Sequence, residues 1–145
     1  MLNYGNRQYT NIDVTTADQG KLVVLLYEGA IRFLNEAKNC IRNNDVPGKA
    51  RYLNRVQDII QELNYSLNTN DGGEIAQNLR SLYLFMDRHL VKAKIERDGA
   101  KEIDAVLSSL SSLYDAWRQI VKNPEAKELK ETNQTIPGLS RGFTV

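Results

Sequence analysis

Apolar residues return every three or four positions over four separate stretches of the chain. This is the spacing of one face of an α-helix, not the alternation of a strand. The first stretch holds Leu22, Val23, Leu26, Tyr27, Ala30, Phe33, Leu34, Ala37 and Ile41. Thr16 followed three positions later by Gln19 has the form of a capping box, so a helix is predicted to begin near Thr16. Asn43-Asn44-Asp45 ends it, and Pro47 suits the first turn of the next helix. The second stretch, Leu53, Val56, Ile60, Leu63 and Leu67, steps strictly by three and four. Turn chemistry follows from Asn68 to Gly73, with Asp71 and Glu74 resembling another capping pair. The third helix is predicted to bury Ile75, Leu79, Leu82, Met86, Leu90 and Ala93 and to break at Asp98-Gly99. The fourth uses Ile103, Val106, Leu110, Leu113, Trp117 and Ile120.

Four helices of matched length joined by short loops predict an all-α fold, an antiparallel up-down-up-down four-helix bundle over residues 16–123. Residues 1–15 form an N-terminal arm, polar but carrying Tyr4, Tyr9, Ile12 and Val14. Residues 124–145 form a polar C-terminal tail; both ends are expected to be flexible in isolation.

Composition narrows the function classes. At 145 residues, 41% hydrophobic and 26% charged, the chain fits one ordinary globular domain. Nineteen Lys and Arg against 18 Asp and Glu leave a net charge of +1, too balanced for nucleic acid to be the main partner. Cys40 is the lone cysteine, so no internal disulfide is implied. Met1 to Thr10 lacks an apolar run of signal-peptide length, and nothing has the length and apolarity of a membrane span. A cytoplasmic protein without stable membrane insertion is therefore expected.

Catalytic chemistry finds little support. His89 is the only histidine, and Met86 stands three positions before it where a di-metal bundle would place a glutamate. One His and one Cys are too few for zinc. Cys40 lies at a helix C-terminus, where the dipole disfavours a thiolate. Ser108, Ser109, Ser111 and Ser112 have no base placed to activate them, and Gly72-Gly73 is not a phosphate loop. No enzyme activity, cofactor or metal is expected.

The informative feature is a surplus of apolar residues. Leu84, Val91 and Ile95 fall opposite the core seam of the third helix at about 100° per residue. Val24 and Ile31 border the first stripe, and Tyr52 and Ile59 an edge of the second helix. Singly, such residues are ordinary surface. Aligned, the trio suits the apolar face of a partner's amphipathic helix, and Tyr9 and Ile12 of the arm suit the same groove when the partner is absent. The other reading is a self-associating structural bundle whose spare stripe packs on its own copy.

Leu26-Tyr27-Glu28-Gly29-Ala30, Gln57-Asp58-Ile59-Ile60, Gly72-Gly73-Glu74-Ile75-Ala76-Gln77-Asn78-Leu79 with Leu82-Tyr83 and Met86, and Ala116-Trp117 together resemble the FliS family of flagellar export chaperones. The likeness spans roughly Tyr9 to Ile120, while Val46-Pro47-Gly48 and the tail after Pro124 match no family pattern. It implies a cytoplasmic bundle that binds the disordered C-terminal segment of flagellin, prevents early polymerisation and delivers it to the membrane component of the flagellar type III export gate. It also implies that an N-terminal tyrosine region, here Tyr9, covers part of the binding surface in the free state. Partner contacts are then expected at Tyr9 and Ile12, at Leu53, Val56, Ile60 and Leu63, and at Ile75, Leu79, Tyr83, Leu84 and Val91. Several of these positions double as core.

Overall fold

The computed structural model describes residues 16–67 and 73–123. Four helices account for nearly all of them: α1 (Thr16–Arg42), α2 (Val46–Ser66), α3 (Gly73–Ile95) and α4 (Ala100–Lys122). Helix α1 packs on α2 and α4, and α3 packs on the same two, which closes the antiparallel four-helix ring. The arm before Thr16, Asp71 of the second capping pair and the tail after Asn123 lie outside the described residues.

Each helix gives one stripe to the centre. In α2 it is Leu53, Val56, Ile60 and Leu63, and in α4 Ile103, Val106, Leu110, Leu113 and Ile120, all buried. Each such Leu or Ile contributes about 1.5–3 kcal/mol before chain entropy is subtracted. The stripe of α3 differs from the spacing-based expectation. It runs Ala76, Leu79, Tyr83, Met86, Leu90, Ala93, while Ile75 and Leu82 are only half-buried at its margins. Tyr83 can occupy the centre because its hydroxyl meets that of Tyr27, from the opposite helix of the ring, at 2.6 Å. Burial pushes both phenols above their ordinary pKa, so each stays a neutral hydroxyl at physiological pH. Trp117, expected in the α4 stripe, is half-buried.

The two turns at one end of the bundle are built by short-range chemistry. Asn44 takes a left-handed φ of 58°, and the Asp45 carboxylate caps α2 by accepting from the Gly48 amide at 2.9 Å. A Cβ on Gly48 would stand 2.7 Å from the Cys40 sulfur, so Val46-Pro47-Gly48 is a close-packed helix start. Cys40 is buried there, and desolvation, followed by the neighbouring Asp45, raises its thiol pKa. Lys49 is buried too, and its ammonium donates to the carbonyls of Glu96 at 2.7 Å and Asp98 at 3.3 Å, binding the start of α2 to the end of α3. Gly99, at φ 82°, makes the α3–α4 turn so tightly that a Cβ would lie 2.7 Å from the Ala93 carbonyl oxygen.

Two glycines should therefore respond oppositely to the same change. Gly29, inside α1, has room for a methyl group 3.5 Å from the Ile59 Cδ1. Gly29→Ala should raise stability by about 0.5–1 kcal/mol through helix propensity. Gly99→Ala should lower it by more than about 1 kcal/mol. Urea unfolding midpoints check both; a shift of the same sign in the two variants would contradict this packing.

Candidate partner-binding face

Because α3 turns Ala76 to Ala93 inward, a rotation of half a turn brings Leu84, Arg88, Val91 and Ile95 to its outer side. There Leu84 is 50% exposed, Val91 41% and Ile95 79%. Over this helix half the apolar side chains rise in one row, and its Val91 and Ile95 line a shallow depression with Asp87, Arg88, Lys92 and Glu96.

Polar contacts fix both flanks of the row. Towards α2, Gln57 donates to Asp87 at 2.9 Å, and Lys94 donates to Asn54 at 2.9 Å and to Gln57 at 2.5 Å. Towards α4, the Nδ1 of His89 meets Glu102 Oε1 at 2.5 Å, and Lys92 stands 3.6 Å from the other carboxylate oxygen. His89 is thus an interhelical side chain. The hydrogen bond from His89 is the main reason the Glu102 carboxyl titrates below its ordinary value, with Lys92 acting in the same direction against the opposing effect of burial. The Phe85 ring sits edge-on to His89, 4.3 Å between centroids, and extends the apolar surface towards α4.

The residues expected to meet a partner fall into four groups. Leu53, Val56, Ile60, Leu63, Leu79 and Tyr83 are core, with at most 3% exposure, so the closed bundle offers no access to them. Ile75 is half-buried against that core. Leu84 and Val91 stand at the surface beside Ile95. Tyr9 and Ile12 lie outside the described residues. Of the edge residues, Ile31, Tyr52 and Ile59 are partly buried against the core. Phe85 was missed by the sequence reading; it follows Leu84 and lies about 100° round the helix, between row and core. Leu25, Val46 and Tyr65 are exposed as well, but they sit on α1 and α2 and do not form part of this row.

Among the described residues no cluster of His, Cys, Asp and Glu is placed to hold a metal ion, and no helix is long and apolar enough to cross a membrane. The family model described as flagellar protein FliS matches residues 1–124. The chain belongs to the FliS family. It is 35% identical over 115 residues to the flagellar secretion chaperone FliS of Bacillus subtilis, covering 79% of this chain and 84% of that protein. It is 36% identical over 108 residues to the protein of the same name from Salmonella typhimurium, covering 74% and 79%. With that of Campylobacter jejuni it shares 35% identity over 103 residues, covering 71% and 80%. FliS proteins are a family of chaperones, and membership gives this chain a chaperone role in flagellar export.

The flank contact at Glu102 sets a pH dependence. A carboxyl whose folded pKa is depressed contributes stability that is full above its unfolded pKa and is lost as pH falls through the folded value. Thermal unfolding of the parent and of Glu102→Gln should therefore differ most near neutral pH and converge on acidification. A difference that stays constant down to strongly acid pH would show that the carboxylate does not act through this contact.

Proposed function

We propose that this FliS protein is a cytoplasmic chaperone that receives the C-terminal segment of flagellin on the outer row of α3. Holding that segment as an amphipathic helix keeps it from polymerising until the pair reaches the membrane component of the flagellar type III export gate. The observation that carries this reading is the row itself. Leu84, Val91 and Ile95 are aligned, exposed and held on a helix whose other side is locked into the core. A guest helix carrying apolar residues at i, i+3, i+4 and i+7 would bury them, at the cost of ordering a disordered segment. Phe85 adds an aromatic contact at the margin. The arm, with Tyr9 and Ile12, competes for the same row when the guest is absent. The buried positions Leu53, Val56, Ile60, Leu63, Leu79 and Tyr83 serve the site indirectly, by setting the rotation of α3.

A calorimetric titration with a flagellin C-terminal peptide tests this, using the full chain and the chain lacking residues 1–15. Leu84→Asp and Val91→Asp should each weaken binding about tenfold or more while melting stays within about 0.5 kcal/mol of the parent. Removing the arm should tighten binding. Unchanged affinity in both aspartate variants would exclude the row. Sedimentation that depends on concentration, with no uptake of the peptide, would assign the row to a second copy of the chain.

A further inference from the structure

On the far side of the bundle from the α3 row, the α1–α2 face carries two arginines gathered on one aromatic ring. The Arg32 guanidinium lies 5.3 Å from the centre of the Phe33 ring, and that of Arg55, reaching across from α2, lies 5.5 Å from the same centre. Arg55 is also 5.9 Å from the Tyr52 ring, which is tilted 31° to Phe33 at a centroid distance of 5.9 Å. Both rings are half-buried and rest on the core, while both arginines are exposed.

Among the described residues neither guanidinium enters an ion pair; the pairs there involve Lys38, His89 and Lys92. Glu28 and Glu36, one helical turn to either side of Arg32, line a shallow depression with it but stand beyond ion-pair distance. Glu28 instead accepts from the Tyr114 hydroxyl at 2.8 Å, and an Arg32 terminal nitrogen lies 3.8 Å from where a Gly29 Cβ would be. Two planar cations thus lie over aromatic rings beside apolar surface, and among the described residues neither is within ion-pair distance of a carboxylate. Stacking costs a guanidinium few of its in-plane N–H donors, so the forks remain free for bidentate acceptance by an anion. Side chains already ordered by their rings lose less entropy when a ligand arrives.

We infer that Arg32, Phe33, Tyr52 and Arg55 form a second docking surface, for an acidic segment of a partner protein with carboxylates set beside an apolar side chain. The carboxylates pair with the two forks, and the apolar group covers the exposed parts of the rings. The inference is independent of what binds to α3. A nucleic acid is the wrong partner because its phosphates need a basic excess, and this chain carries only +1 overall.

A peptide array tests it. Short peptides varied systematically in Asp and Glu, Lys and Arg, and Phe and Leu content are probed with the labelled full chain, with a single-stranded thymidine oligonucleotide spotted alongside. Retention should rise with acidic plus apolar content and fall with added salt. Arg32→Gln/Arg55→Gln should lose about tenfold or more of the affinity for the best acidic peptide, and Arg55→Lys, which keeps the charge without the fork, should fall between. Leu84→Asp should leave this binding intact. Retention independent of acidic content, full retention by the double variant, or tighter binding of the oligonucleotide would each overturn the proposal.

Discussion

A helix in a four-helix bundle has one stripe to give to the centre, and the stripe of α3 is fixed by its small and large members together. Ala76 and Ala93 admit close neighbours at its ends, while Tyr83, Met86 and Leu90 fill the middle. The Tyr27–Tyr83 hydroxyl contact at 2.6 Å adds direction to this packing, because a buried hydroxyl must be met by a partner and only one rotation of the helix allows it. Once that rotation is set, Leu84, Val91 and Ile95 have nowhere to go but outward. The exposed row is therefore a consequence of the core.

The rest of the molecule holds this arrangement unevenly. At the end where α1 turns into α2 and α3 into α4, the Asp45 cap, the Lys49 ammonium on two carbonyls and the left-handed Gly99 tie the four helices together. His89 with Glu102 and Lys38 with Asp104 add interhelical pairs. Close to the opposite end, the buried side-chain oxygen of Asn64 has no hydrogen-bond partner among the described residues. The apolar row rises in the half of α3 that runs towards the well-tied end.

Periodicity alone made the four helices, their order and the outward set of α3 legible, because steps of three and four record burial directly. It misassigned the margin of the α3 stripe. Apolar size favoured Ile75 and Leu82, whereas Ala76 and Tyr83 are the buried members. The reason is that the hydroxyl partner making Tyr83 acceptable inside, Tyr27, is remote in sequence. The same blindness covers the Arg32–Phe33–Arg55 cluster, which exists only once α1 and α2 lie side by side. The FliS likeness was readable from short blocks such as Leu26 to Ala30 and Gly72 to Leu79. Those blocks mix core residues with Gly29, which faces Ile59, and so they could not separate contact positions from packing positions.

In the proposed complex the guest lies on the outside of α3 and leaves the core closed. Methyl NMR spectra of the full chain, with and without a flagellin C-terminal peptide, test it most directly. The methyl signals of Leu84, Val91 and Ile95 should move on binding while those of Leu53, Val56 and Leu110 stay in place. Large shifts at the core methyls with the outer three unmoved would contradict it, and would mean that the bundle opens to take its guest inside.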